Sequence, residues 1–279
     1  MKIHRISSTA SKTFIYLIMI FFVFFFLFPI FWLAVTSVKP AAEVMRPNFP
    51  TFDSMHFESY RELLNQYTFD QYYINSIIAS GGATLFVALV AVPAAYGFTK
   101  YPYRGSGKVF MSCVLMRMIP FITLMVPLYM YMSWFGLLNT RTSLIIANTT
   151  FNLPFSLWIM EGYFRKFPNE LIESASIDGS GRFGTLLKIV VPISLPSIST
   201  VIILTFLNTW KEFMFASVTA QSVSSRTITV GIAMLTQQYG IRWDLMSAAG
   251  TICIIPVLVV TIFFQKKIMR GMTMGALKG

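Results

Sequence analysis

The sequence is short of charge. Asp, Glu, Lys and Arg make up 12% of its 279 residues, where an ordinary soluble domain carries about 25%. With 55% hydrophobic residues and a mean hydropathy of +0.65, that deficit excludes a soluble globular chain. Acids are scarcer than bases, 11 against 22, which leaves a net charge of +11. The basic residues are scattered through short connections between apolar runs instead of being gathered in one polar domain, so nucleic acid is not an expected partner. Cysteine is nearly absent: Cys113 and Cys253 each sit in an apolar stretch with no Cys or His nearby in sequence, and free thiols are expected in place of a disulfide frame or a metal site. There is no G-x-x-x-x-G-K-[ST] phosphate loop, no H-E-x-x-H, no G-x-S-x-G and no pair of acids within an apolar run. These absences count against nucleotide hydrolysis, zinc hydrolysis and serine catalysis by this chain. Repeats of 20–50 residues and long disordered tracts are also missing.

Long apolar runs are plentiful. A membrane helix needs about 20 apolar residues, and six segments qualify: Phe14 to Val35, Ile74 to Phe98, Val109 to Trp134, Ser143 to Gly162, Ser197 to Phe215 and Met246 to Phe264. The first follows Lys2, Arg5 and Lys12, yet it is longer than a signal-peptide core and lacks a convincing small-residue cleavage site, so a retained span is expected. The Lys and Arg residues of the connections set the orientation. Most of them fall on one side when both termini are cytoplasmic. The fold class expected is an all-α polytopic membrane protein with six transmembrane helices. Its parts are a cytoplasmic N-terminus (1–13), a transmembrane domain (14–264) with outer segments 36–73 and 216–245, and a cytoplasmic tail (265–279).

The polar interval from Glu161 to Pro196 interrupts this pattern on the cytoplasmic side. Pro168 opens a helix through NELIESASI, and Asp178-Gly179 stops it, because glycine tolerates the left-handed backbone that ends helices. A second short helix is expected from Arg182 to Val191, ending at Pro192. Leu171, Ile172 and Ala175 share one face of the first helix. Periodicity alone leaves two readings open, an amphipathic helix lying on membrane lipid and a helix docked in the groove of a partner.

The spacing adds a resemblance. Glu173-Ser174-Ala175, three residues, Gly179, nine residues, Ile189, one residue and Val191-Pro192 resembles the EAA loop of permease subunits of ATP-binding-cassette importers, with Ser174 and Val191 as conservative departures. NSIIAS at Asn75, PAAYGF at Pro93, VPLYMYMSWFGLLNTR at Val126, NLPFSLW at Asn152, FLNTWKEF at Phe206 and RGMTMGALKG at Arg270 are similar to the corresponding stretches of MalG-type permeases of the carbohydrate-uptake class. The resemblance implies a type I importer permease fold and a non-catalytic subunit. It also implies a second, related permease as heterodimer partner, two ATPase subunits inside and a solute-binding protein outside. No cofactor is expected on this chain; ATP and Mg belong to the ATPases. The implied coupling residues are Glu173, Ser174, Ala175, Asp178, Gly179, Ile189 and Pro192, and the implied ATPase contacts of the tail are Gly271, Gly275, Lys278 and Gly279. The outer segment 216–245 is implied to probe the binding protein. Lys211 departs from the Trp-Asn-Glu-Phe of many relatives.

Candidates for the translocation path come from the residues. Arg117 within an apolar run costs roughly 2.5 to 3.5 kcal/mol to insert and calls for a cavity, an acidic partner or a route to the surface. Asn152 is an amide within the fourth span, Asn208 belongs to the polar knot that ends the fifth, and Trp210 offers either an aromatic face suited to a sugar or part of an interfacial aromatic belt. The competing class is a stand-alone ion-coupled carrier, which needs buried ionisable residues that the spans, Arg117 apart, scarcely supply.

Overall fold

In the computed structural model, residues 9–51, 55–236 and 241–276 are described, with side chains from 12 to 264 in those ranges. Every regular element among them is helical, and twelve α-helices follow in order: α1 Thr9–Thr36, α2 Glu58–Asn65, α3 Phe69–Lys100, α4 Ser106–Leu115, α5 Phe121–Trp134, α6 Arg141–Arg165, α7 Glu170–Ile177, α8 Arg182–Thr185, α9 Val191–Trp210, α10 Met214–Thr219, α11 Ile228–Met234 and α12 Trp243–Ala276. Among the described residues five continuous helices are long and apolar enough to cross a membrane, and a bent pair supplies a sixth candidate.

Two compact units form. The smaller comprises Met1–Tyr67 and Met234–Ile254. In it α1 buries none of its apolar window, as an apolar helix facing lipid or another subunit does. Side chains of this unit also pack around α2. Ser37 Oγ lies 2.7 Å from Tyr60 Oη of α2, and Arg242 grips Glu62 at 2.9 Å and Asp244 at 2.8 Å. Lys39 is buried, with Nζ on the Arg46 carbonyl at 2.8 Å and over the Trp32 ring at 4.9 Å.

The larger unit comprises Thr68–Ala233 and Ile255–Gly279. Here α3, α6 and α9 share one apolar core, built from Val87, Ala91 and Ala95 of α3, Leu157, Met160 and Phe164 of α6, and Ile198 and Val201 of α9. Small residues bring α3 and α6 together. A Cβ on Gly82 would meet Ile145 Cδ1 at 2.7 Å, so this glycine sets the approach, whereas Gly81 faces open space. That close contact fits membrane helices, which associate by packing instead of by hydrophobic exclusion.

Two expectations about spans are corrected. Val109 to Trp134 is not one helix. α4 runs into a 3-10 turn at Met116–Met118, Ile119 is extended, and α5 leaves at 101° to the preceding helix. Pro120 explains the break, because its ring drives the residue before it out of the α region and it has no N–H to give. The converse holds at Pro192. The helix expected to stop there passes through it, from α8 by a π-turn at Leu186–Val190 into α9, giving one helix from Arg182 to Trp210. The Val191 N–H reaches back to the Leu186 carbonyl, one residue further than in an α-helix. This wider turn relieves the clash a proline ring otherwise makes with the carbonyl four residues earlier. The fifth span therefore begins before Ser197 and ends at Trp210, short of Phe215.

Candidate functional site

The polar interval folds as a capped helix between two spans. α6 ends with the Glu161–Arg165 ion pair on its last turn. After Pro168 the chain enters α7, whose one buried residue is Ala175; Glu173, Ser174 and Asp178 are exposed. Ser174 and Ser176 return their hydroxyls to the carbonyls of Glu170 and Ile172, at 2.8 and 3.0 Å. The exit is a Schellman cap: Ser180 N–H bonds the Ala175 carbonyl at 2.9 Å, and Gly179 N–H bonds that of Ser176 at 3.1 Å. Gly179 has φ +79°, and a Cβ there would meet nothing within 4 Å. Backbone conformation, not crowding, is what demands glycine.

Beyond the cap, Thr185 Oγ1 donates to Ser180 Oγ at 3.2 Å, and the Arg182 guanidinium lies over Tyr101 at 4.6 Å. Ile189 is half-buried and Pro192 exposed, both in the continuous helix. Glu173 lines a groove of about 450 Å³ with Lys100, Tyr101, Asn169 and Ile172. The sequence reading passed over the most exposed apolar side chains of the loop, Ile177 at 86% and Phe183 at 68%. Their signal is an apolar residue placed next to a predicted helix stop, where no core is available to cover it.

The path candidates separate into two places. Arg117 sits in the 3-10 turn at the break and lines a cleft of about 710 Å³ with Pro120, Phe121, Tyr131, Phe151 and Pro154. It donates Nη1 to the Phe151 carbonyl at 3.0 Å and lies 5.4 Å from the Phe155 ring centre, with no acidic partner among the described residues. Asn152 and Asn208 instead join α6 to α9. Asn208 Nδ2 donates to Asn152 Oδ1 at 3.3 Å, and Asn152 Nδ2 to the Asn148 carbonyl at 2.9 Å and Thr209 Oγ1 at 3.5 Å. Asn152 is buried. Trp210 is buried as well, stacked on Phe206 at 5.8 Å with Tyr73 edge-on at 5.7 Å. Its ring is occupied by packing within the chain, which corrects the expectation of an aromatic face open to a sugar.

After Trp210 the helix ends. Glu212 caps α10, with Oε1 accepting from Phe215 N–H at 2.7 Å and Oε2 from Ala216 N–H at 3.2 Å. Burial pushes its carboxyl pKa upward, and the helix N–H groups pull against that. Lys211 is exposed. In the turn before α6, Asn139 adopts φ +60° and accepts from Gln221 and Ser222 N–H at 2.8 and 3.1 Å, tying that turn to the loop that follows α10. Of the tail residues, Gly271 and Gly275 fall within α12, while Lys278 and Gly279 lie outside the described residues. The described residues contain no cluster of three metal-ligating side chains.

The family described as the binding-protein-dependent transport system inner membrane component matches residues 89–274, well over half of the chain. The chain belongs to that family. It is a permease subunit of an ATP-binding-cassette importer, and as such a multi-pass protein of the bacterial or archaeal cytoplasmic membrane. The permease is 34% identical to the trehalose/maltose transport system permease protein MalG of Thermococcus litoralis, over 91% of this chain and 92% of that one. It is 31% identical to the sulfoquinovosyl glycerol transport system permease protein SmoH of Agrobacterium fabrum, over 91% and 89%. Its fold matches a chain of the bacterial transporter that imports the acidic polysaccharide alginate, with a TM-score of 0.76 at 21% identity over 95% and 99% of the two chains. Permease subunits of this family are not catalytic. The family match covers the cleft, the polar loop and both amides that join α6 to α9.

Proposed function

We propose that this permease forms half of the translocation path for a sugar or oligosaccharide and couples its opening to ATP hydrolysis on two partner ATPase subunits. The observation that carries the reading is the geometry of the polar loop. A capped helix presents Glu173, Asp178 and Ile177 outward, and after the tight turn through Gly179 the chain enters α8, which runs without a break through the π-turn into the fifth span. A push on α7 is thereby delivered to a helix of 29 residues, about 43 Å at 1.5 Å per residue. Energy enters as a shift between inward-open and outward-open packings of the spans.

In this reading both termini and the segment 163–196 are cytoplasmic. Glu173, Ser174 and Asp178 face the ATPase, Ala175 and Gly179 give α7 its seat and its stop, and Ile189 and Pro192 belong to the lever. Gly271, Gly275, Lys278 and Gly279 reach the ATPases, where ATP and Mg are bound. The outer segments 36–73 and 216–245 meet a solute-binding protein, and a second, related permease completes the path. Arg117 lines that path in its cleft, with Asn152 and Asn208 setting the α6–α9 packing behind it. The sugar class is supported by the names of the relatives, a trehalose/maltose and a sulfoquinovosyl glycerol permease.

A tagged chain drawn from native membranes in mild detergent is expected to bring down a second permease and an ATPase, identified by mass spectrometry. Any binding protein captured with them is then screened for its sugar. A chain that comes down alone and still transports when reconstituted alone would overturn the importer reading in favour of an ion-coupled carrier.

A further inference from the structure

α3 is held by side chains at both ends, and the two grips lie on different loops. At its C-terminal end Lys100 donates Nζ to the Phe167 carbonyl at 2.7 Å and to Asn169 Oδ1 at 2.6 Å, the residues on either side of Pro168 where the chain enters α7. The next residue, Tyr101, carries the Arg182 guanidinium on its ring at 4.6 Å, where the loop leaves. Entry and exit of the polar loop are thus fastened to two consecutive residues. At the other end Asn75 donates Nδ2 to the carbonyls of Val223 and Arg226 at 3.0 and 2.9 Å, and its Oδ1 accepts from Arg141 Nε at 2.7 Å. Ser76 Oγ accepts from Ile228 N–H at 2.8 Å, and Tyr72 Oη accepts from Arg226 Nη1 at 2.9 Å.

Between Asn75 and Lys100 the helix is continuous, a run of about 37 Å at 1.5 Å per residue. A helix that merely crosses a bilayer satisfies its own backbone and has no need to grip loop carbonyls remote in sequence. The acceptors gripped here are mostly backbone, so a displacement of either loop acts on α3 directly instead of being absorbed by a swinging side chain. Movement of α7 that leaves α3 behind has to break two short hydrogen bonds to an ammonium group, which are among the stronger kinds.

We propose that α3 is a transmission rod between the polar loop and the outer loop 221–228, with Lys100 and Asn75 as the positioning residues at its two ends. Events at the ATPases are thereby felt at the surface that meets the binding protein, and the reverse. This inference rests on the importer reading above.

The test uses the whole complex purified through a tag on this chain, with Cys113 and Cys253 replaced by Ala and a nitroxide at Val223→Cys. The spectrum is recorded with and without ATP and vanadate. In the otherwise wild-type complex the line shape is expected to change on ATP–vanadate. Lys100→Met is expected to lose that response while basal ATP hydrolysis persists, Lys100→Arg to restore it, and Asn75→Leu to lose it again. If Lys100→Met does not assemble, Asn169→Ala and Tyr101→Leu decide the matter, since each cuts one contact of the clasp: a reduced response supports the rod and an unchanged one overturns it. A label that stays silent in the wild-type complex, or responds equally in Lys100→Met, overturns the rod and leaves the importer reading standing. A chain that brings down no ATPase overturns both.

Discussion

Pro120 and Pro192 lie in similar apolar surroundings and have opposite outcomes. At Pro120 the preceding turn tightens to 3-10 geometry, Ile119 turns extended, and the helix bends by 101°. At Pro192 the preceding turn loosens to π geometry and the helix continues to Trp210. The first leaves a cleft of about 710 Å³ with an arginine in it, the second a lever with a capped helix at its end. The contrast teaches that the turn upstream decides whether a proline ends a helix. Each of the six candidate spans carries a proline inside a helix, at Pro29, Pro93, Pro127, Pro154, Pro196 and Pro256, and none of these stops its helix.

The strongest way to break the contrast is to give the lever a joint. Two glycines inserted between Val190 and Val191 remove about 2 kcal/mol of helix propensity and turn everything downstream by about 200° relative to α7. Uptake into proteoliposomes is expected to be abolished while the chain still inserts and still retains its ATPase in a pull-down. Full uptake would show that the continuity of α8, the π-turn and α9 is not used.

Much of this was legible in the sequence because it depends on local chemistry. Six apolar runs, the α7 helix and its stop at Gly179 follow from length, capping and periodicity. The rest depends on partners distant in the chain. Asn152 and Asn208 look alike whether an amide faces a substrate or another amide, and what decides is that α6 and α9 bring them to 3.3 Å. Trp210 appears available until Phe206 and Tyr73 are placed against it. Lys100 reads as one more cytoplasmic cation, since its carbonyl acceptor lies 67 residues away. The π-turn has no composition of its own: LLKIV is as good an α-helix as any, and only the proline two residues beyond it gives a reason for the wider turn.

A smaller effect is expected at the cap that starts the lever. Gly179→Val forces a β-branched residue to φ +79°, a left-handed conformation that costs an L-residue roughly 1–2 kcal/mol. About ten-fold weaker docking of the ATPase follows by the usual conversion. Gly179→Asn is expected to retain most function, because asparagine tolerates this backbone and the site has room for a side chain. Uptake and the ratio of uptake to ATP hydrolysis are the measurements. Equal damage from Val and Asn would mean that a partner surface, not the backbone, requires glycine there.

The finest test compares the two prolines directly. Pro192→Ala restores an N–H donor in a helix that already runs through the site, so its effect is expected to stay within about 1 kcal/mol of stability and leave uptake near normal. Pro120→Ala removes both the ring that holds Ile119 extended and the missing donor, and so allows α4 to continue toward α5. Any straightening narrows the cleft and moves Arg117 away from the Phe151 carbonyl now 3.0 Å from it. Spin labels at Ser112→Cys and Tyr129→Cys, with Cys113 and Cys253 replaced by Ala, report the bend. Their separation is expected to increase in Pro120→Ala, and uptake to fall by more than in Pro192→Ala. An unchanged separation would assign the break to the packing of α5 against α6 and α10, with Pro120 merely tolerated at a bend that other contacts make.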